Sequence, residues 1–333
     1  MNKRVGAAIA ALSLGLATVA VTPPAVAKAP DPGTQPPNYL VLPSLDFYPE
    51  SITAATSWEA GWDIYAASIV TGAVVRYPTR SSTPEEFVPP GVNIGTAGIM
   101  ADDARGVLWT CGIDLSFQTP TVLRAFNLET KALTATYTLP DRGVCADIAL
   151  VGGDVFITDT VDPTVSPALP GRILKLTTPS RYSAVGGTLS VWSADPAFTQ
   201  PTGGLQINGI AYDGRSSIYT TNYSGGRLVR VDIAADGSAK PAVVIPVSRP
   251  LQNPDGIRML DTNRLLVTEN PGPLSIIDVR TGAVTQHAWL DQPTSVVRTG
   301  TSLWVAEGQI LRLQTGQPPN IPFKLRRVPA PTA

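Results

Sequence analysis

The chain of 333 residues contains a single histidine, His287. One histidine excludes any mechanism that uses a pair of histidines, and a tetrahedral zinc site built from histidine and cysteine lacks ligands. A Ser-His-Asp triad would need His287 itself, and no Gly-x-Ser-x-Gly motif is present to carry the nucleophile. The alternating residues around His287 predict an outer strand, so we expect a structural or surface role for it.

Charged side chains are also scarce, at 15% of the residues, and the one short basic cluster lies at 324–327. Nucleic-acid binding needs larger clusters of lysine and arginine, so we expect no nucleic-acid partner. Cysteine is limited to Cys111 and Cys145. The two residues could form a disulfide in an oxidising compartment, but two buried free thiols fit equally well, because spacing alone does not show whether the side chains meet.

No apolar run after the first 27 residues is long enough to span a bilayer. Residues 1–27 combine a basic start, an apolar stretch and a small-residue cleavage motif, and they predict a secretory signal peptide, with a membrane anchor as the alternative. We therefore expect an exported protein, periplasmic or secreted, that leaves the membrane after cleavage. The proline-rich residues 28–37 predict a linker, residues 38–327 a single domain and residues 328–333 a tail.

A repeated unit runs through the predicted domain. Each copy has a short apolar strand, a turn rich in Asp and Gly, a strand with an aromatic or aliphatic pair, and a strand containing Arg or Lys. Six copies align on one apolar anchor residue, at intervals of about 40–60 residues, which is the spacing of four-stranded propeller blades. The sequence therefore predicts an all-β, six-bladed β-propeller with antiparallel blades. The anchors are Ile52, Ile99, Ile148, Ile210, Ile257 and Val296.

A propeller must also be closed into a ring. Residues 39–42 near the N-terminus could pair with the last blade, as could residues 323–325, and we favour the N-terminal segment. The sixth copy of the repeat predicts a strand over residues 309–313.

Residues two positions before each anchor are expected to meet at the mouth of the central channel, because the innermost strand of every blade lines that channel. We call these six positions the mouth ring. Three of its members are oxygen donors, and two carboxylates brought together need a counter-charge. One divalent cation would supply it, with Ca²⁺ as first choice and Mg²⁺, Mn²⁺ or Zn²⁺ as alternatives; strand-end residues capped by backbone groups are the other interpretation. The mouth ring is Glu50, Ala97, Ala146, Asn208, Asp255 and Thr294.

These residues resemble the motifs of the senescence-marker-protein/gluconolactonase/luciferin-regenerating-enzyme family. The resemblance rests on Glu50 in Pro-Glu-Ser-Ile, Asn208 in Ile-Asn-Gly-Ile-Ala-Tyr-Asp and Asp255 in Asn-Pro-Asp-Gly-Ile, and it covers about residues 45–315. It implies one divalent metal held by these three side chains, and hydrolysis of sugar lactones or similar esters. One departure is Ala146, which stands where sugar lactonases of this family often carry a substrate-contacting asparagine, so the resemblance does not extend to sugar specificity.

A general base beside a metal-bound water completes this hypothesis. We predict Asp255 as a catalytic residue, with Asp147 and Glu307 as further candidates and Asp159 and Glu269 as neighbours of the same kind; the alternative for each is a turn or hydrogen-bonding role. The predicted function is a metal-dependent hydrolase of a lactone or related ester, acting on a small molecule as a monomer. The alternatives are a non-catalytic exported propeller that binds a small molecule or a protein, and an enzyme of different chemistry on the same scaffold.

Overall fold

The computed structural model describes residues 38–140, 143–160, 171–199 and 204–331. These residues form six four-stranded antiparallel sheets whose innermost strands contact one another in a closed circle, so the predicted six-bladed β-propeller is confirmed. The predicted signal peptide and linker lie outside the described residues. Within the described part of the chain, no helix has the length and apolar character needed to cross a membrane.

The strands follow one another outward from the channel in each blade. Blades 1 to 3 contain β2 (Pro49–Ser57), β3 (Gly61–Ser68), β4 (Val74–Tyr77) and β5 (Glu85–Val88); β6 (Gly95–Asp102), β7 (Val107–Ile113), β8 (Val122–Asn127) and β9 (Leu133–Thr138); and β10 (Cys145–Val151), β11 (Asp154–Asp159), β12 (Arg172–Thr177) and β13 (Thr188–Ser193). Blades 4 and 5 contain β14 (Ile207–Tyr212), β15 (Ser217–Asn222), β16 (Arg227–Asp232) and β17 (Val243–Ile245); and β18 (Pro254–Met259), β19 (Arg264–Glu269), β20 (Pro273–Asp278) and β21 (Val284–Trp289).

Blade 6 closes the ring with both ends of the domain. Its strands, from the channel outward, are β22 (Pro293–Thr299), β23 (Ser302–Glu307), β24 (Lys324–Pro329) and β1 (Tyr39–Val41). The predicted N-terminal closure is confirmed, because Leu40 pairs with Leu325 in the outermost position of the blade. The competing segment at 323–325 also joins the blade, since it leads into the third strand.

The strand predicted over residues 309–313 is wrong. The chain forms helix α1 (Ile310–Thr315) there, entered through Gln309 and ended by Gly316, both in the left-handed conformation. The apolar residues Ile310 and Leu313 are three positions apart, so they face the same side of a helical turn and pack against the core. Leu, Arg and Gln are also good helix formers, which favours the helix at this site.

Burial follows from the stacking of the blades. Every residue of β7 is buried, because both faces of an inner strand pack on neighbouring blades, whereas β9 at the rim is largely exposed. His287 lies on the outer strand β21, as predicted.

Side-chain hydroxyl groups connect the inner strands of neighbouring blades. Three equivalent threonines in blades 3, 4 and 5 each donate to a backbone oxygen of the next blade: Thr158 to Asn208, Thr221 to Asp255 and Thr268 to Thr294. Ser51 joins blades 1 and 2 by accepting from the Ile99 amide, and Thr294 joins blades 6 and 1 by donating to the Pro49 oxygen.

Blades 2 and 3 are connected by a disulfide. Cys111 of β7 is bonded to Cys145 of β10, with Cα atoms 5.4 Å apart. Cys111 lies one residue after Thr110, the partner of the blade-2 anchor Ile99. In blade 3, Thr158 likewise lies one residue after Ile157, the partner of the anchor Ile148. The disulfide therefore occupies the position at which other blades carry a bridging threonine.

Candidate metal centre

The mouth-ring residues share one local structure. Each lies where the register between the first and second strands of its blade shifts. Such a β-bulge bends the strand and re-aims its side chains, and bulges are frequent beside active sites. The irregularity thus recurs at the same position of all six innermost strands.

Backbone strain marks three of these strand starts. A non-glycine residue with positive φ precedes the proline that begins β2, β18 and β22, and these residues are Tyr48 (39°), Asn253 (45°) and Gln292 (51°). This conformation costs about 1–3 kcal/mol at such a residue and is concentrated at functional sites. Glu50 and Asp255 each lie two residues after such a strained position, with one proline between them.

The three predicted ligands come together. Glu50 and Asp255 lie close enough for the charge of Glu50 to raise the pKa of Asp255, although burial is the larger cause of that rise. Asn208 is close enough to give Asp255 a hydrogen bond that opposes it. Burial also raises the pKa of Glu50 to about 8, and the negative charge of Asp147 adds to the effect. Ionisation of both carboxyl groups is therefore unfavourable in the protein alone, and a bound cation would offset this cost in free energy.

Two further polar residues lie in this centre, and the sequence reasoning missed them. The Asn270 amide nitrogen donates to Asp255 Oδ2 at 3.1 Å, and Asn270 is completely buried. Tyr223 is buried beside the same carboxylates: burial is the main cause that raises its pKa, followed by the charges of Asp255 and Glu50. Each residue directly follows the last residue of a second strand, β15 or β19.

Three buried oxygen atoms of this centre have no hydrogen-bond partner among the described residues. They are Glu50 Oε2, the Tyr223 hydroxyl and Asn270 Oδ1. Buried polar atoms in native proteins are nearly always paired with protein, water or an ion, so three in one centre need a common explanation.

Asp147 has a different environment. Its carboxylate accepts from both terminal nitrogens of Arg258, at 2.6 and 3.0 Å, and from the backbone amide of Ile210 at 3.1 Å. The Ile210 contact joins blades 3 and 4 in the way that Ser51 joins blades 1 and 2. Asp147 thus forms a buried ion pair across three blades, and these contacts favour a structural role over that of a base.

The other candidate bases are also paired with arginines. Glu307 contacts Arg326 at 3.3 Å and lines an open cavity of about 650 Å³ together with Trp289. The remaining pairs are Asp159 with Arg172 and Glu269 with Arg249. Burial alone would raise the pKa of Glu269, but hydrogen bonds from Arg249, Ser275 and the Gln252 backbone lower it overall.

Glu50 and Asp255 therefore differ from every other candidate carboxylate, since no lysine or arginine of the described chain forms a salt bridge with them. The donors fit a hard cation: two carboxylates, the Asn208 amide and the unpartnered oxygens beside them. They do not fit a transition-metal site rich in histidine or cysteine, and nowhere in the described ranges do three Asp, Glu, His or Cys side chains form a ligand group. Amide oxygens and water would have to complete the coordination.

Comparison with known proteins shows similarity through structure only. No protein-family model matches the chain, and no curated protein matches it. Regucalcin from Agrobacterium tumefaciens, a calcium-binding protein, is 14% identical with a TM-score of 0.60, over 89% of this chain and 95% of that one. The luciferin-regenerating enzyme is 14% identical with a TM-score of 0.58, over 87% and 91% of the two chains.

A third structure, a catalytically inactive histidine-to-alanine variant of virginiamycin B lyase from Staphylococcus aureus, is 16% identical with a TM-score of 0.54, over 80% of each chain. At these identities the likeness shows the fold alone. The solved structures that the chain resembles thus include propeller enzymes, among them the luciferin-regenerating enzyme of the family whose motifs its sequence resembles.

Proposed function

We propose that the protein is a divalent-cation-dependent hydrolase of a lactone or a related ester, with its active site at the channel mouth. One observation carries the proposal: Glu50 and Asp255 are neighbouring carboxylates in a buried centre, and they lack the arginine partner that each of the other four candidate carboxylates has. Two such groups can ionise together only beside a counter-charge, and a bound divalent cation would supply it.

Glu50, Asn208 and Asp255 would hold the cation, and Ca²⁺ is the first choice because all the donors are oxygen. When bound, a divalent cation supplies polarisation of the substrate carbonyl and lowers the pKa of a nearby water. We assign Asp255 as the base, since Asp147 and Glu307 are engaged by arginines.

In the proposed reaction, Asp255 accepts a proton from water as the water oxygen bonds to the carbonyl carbon. The carbon–oxygen bond of the ester or lactone ring then breaks, and the proton passes from Asp255 to the leaving oxygen. A lactone gives a hydroxy acid, and an ester gives an acid and an alcohol. No oxidant or second substrate is needed.

The substrate is expected to be less polar than an aldonolactone. Ala146 carries no hydrogen-bonding group at the third position of the mouth ring, so it cannot recognise a sugar hydroxyl. The resemblance to virginiamycin B lyase suggests elimination as a second chemistry, but the chain's one histidine, His287, lies on the outer strand of blade 5, where it contacts the Pro329 oxygen at 2.8 Å.

The test is an activity panel on the chain starting at Lys28. Aldonolactones, aliphatic lactones and aryl esters are assayed in EDTA and after return of Ca²⁺, Mg²⁺, Mn²⁺ or Zn²⁺. We expect cation-dependent turnover that is strongest on aliphatic lactones or aryl esters, lost in Asp255→Asn and kept in Asp278→Asn, a turn carboxylate at the far end of blade 5. Cation binding without turnover on any substrate would contradict the hydrolase and favour a binding protein.

Export stays a prediction, because the predicted signal peptide lies outside the described residues. The expectation of a monomer also stays a prediction. Secretion of the full chain with removal of its first 27 residues, read by mass spectrometry, tests the former.

A further inference from the structure

The geometry points to Asn270 and Tyr223 as a pair of positioning residues that orient the Asp255 and Glu50 carboxylates and thereby set the affinity of the centre for its cation. This inference rests on the proposed cation site, and it adds two residues that lie outside the resemblance to known motifs. Neither residue is assigned a contact with the substrate.

Asn270 is placed to hold one oxygen of Asp255. Its amide nitrogen reaches Asp255 Oδ2 at 3.1 Å, and the residue has no exposed surface. A ligand carboxylate that is held through one oxygen presents the other in a fixed direction. Partners of this kind, one step removed from the metal, change metal affinity by about 10–100-fold when they are mutated.

Tyr223 contributes a neutral hydroxyl group. The residue is 6% exposed, and its hydroxyl lies beside the Asn270 side chain but forms no hydrogen bond of ordinary geometry with the described residues. A tyrosine hydroxyl carries its proton at physiological pH and is a hydrogen-bond donor. It can therefore donate to a carboxylate oxygen of Glu50 or Asp255 once these groups are ionised around a cation.

The pair lies on the side of the centre that carries two of the three predicted ligands. Blade 3 supplies no polar side chain to the mouth ring, so the donors of the centre come from blades 1, 4 and 5. Tyr223 and Asn270 follow β15 and β19, the second strands of blades 4 and 5, and they concentrate the hydrogen-bonding groups on that side. The protein donors come from one side of the centre, and water would fill the other coordination positions of a cation. The orientation of each ligand carboxylate therefore matters for cation affinity.

The experiment measures cation affinity in four variants by isothermal titration calorimetry with Ca²⁺ and, separately, with Mn²⁺. Asn270→Ala and Tyr223→Phe are each paired with a matched control that lies outside the centre. Asn93→Ala also removes a buried asparagine, 1% exposed, which donates to Thr96 at 2.9 Å near blades 1 and 2. Tyr77→Phe also removes a buried hydroxyl, one that donates to the Val41 oxygen at 2.7 Å.

We expect Asn270→Ala to weaken cation binding about 10–100-fold and Tyr223→Phe to weaken it about tenfold, with both controls within about twofold of the wild type. The melting temperature of the cation-free protein separates positioning from packing. Tyr223→Phe removes a hydroxyl that forms no hydrogen bond of ordinary geometry with the described residues, so it should lower that temperature less than Tyr77→Phe does. If Asn270→Ala does not fold, Tyr223→Phe still decides the question.

Unchanged affinity in both variants, or equal losses in variants and controls, would overturn the inference. The absence of cation binding by the wild type would overturn it together with the proposed site. If the protein binds a cation but is not a hydrolase, the two variants should still weaken cation binding, although no substrate is turned over. That result is distinct from the failure of the cation site.

Discussion

The disulfide between Cys111 and Cys145 should contribute a large part of the stability of the propeller. The two residues are 34 positions apart, and a crosslink that closes a loop of this length restricts the unfolded chain enough to stabilise the fold by about 4 kcal/mol. The double variant Cys111→Ala/Cys145→Ala should lose about this much free energy of unfolding. For a domain whose total stability is about 5–15 kcal/mol, such a loss is easily measured.

The structure also predicts a partial rescue. Cys111 occupies the position at which blades 3, 4 and 5 carry a bridging threonine, and Thr221 in that position donates to the Asp255 oxygen at 2.8 Å. In Cys111→Thr/Cys145→Ala, the new hydroxyl should reach the backbone oxygen of Ala146 and recover about 1 kcal/mol relative to the alanine pair.

Urea unfolding followed by circular dichroism measures both effects, with thiol titration of the wild type as a control for oxidation. An alanine pair within 1 kcal/mol of the wild type would refute the assigned contribution of the crosslink. A threonine variant no more stable than the alanine pair would refute the equivalence of the blade positions.

Three further predictions concern charge and ring closure. Arg258→Met should destabilise the protein by about 3–5 kcal/mol in urea unfolding, because it leaves the Asp147 carboxylate buried and unpaired, and Arg258→Met/Asp147→Leu should recover most of that loss. In EDTA the melting temperature should fall as the pH rises from about 4.5 to about 8, because folded Glu50 keeps a proton that the unfolded chain releases, and excess Ca²⁺ should abolish this fall. Deletion of residues 28–41 removes β1, exposes the edge of β24 and should lower the melting temperature more than deletion of residues 28–37 does. Equal effects of the two deletions would contradict the observed closure.

The propeller could be predicted from the sequence because the repeat encodes it directly. An apolar anchor in each unit marks a strand that is buried on both faces, and counting back two positions from the anchor gives the mouth ring. Gly209 and Gly256 add a signal to this pattern, since a Cβ at either would lie 2.4 or 2.6 Å from a backbone oxygen of the next blade. The requirement for glycine there follows from the close approach of neighbouring inner strands.

The partners of the carboxylates could not be predicted in this way. Arg258 and Asp147 are 111 positions apart and occupy different places in their repeats, one after its anchor and one before it. Arg249 lies in a loop, and Arg326 lies on the strand that follows α1. Because the positions of these arginines differ from blade to blade, the sequence does not show that Asp147 and Glu307 are paired. Helix α1 was missed for a related reason: the repeat predicts a strand at that position of blade 6.

The cation site is tested most directly by the cation stoichiometry of the purified chain, measured by elemental analysis after dialysis against Ca²⁺ and then Ca²⁺-free buffer. We expect one Ca²⁺ per wild-type chain and none in Glu50→Gln/Asp255→Asn, with one retained in Asp278→Asn. A wild type without bound cation, or a double variant that still holds one, would contradict the assignment of Glu50 and Asp255 as ligands.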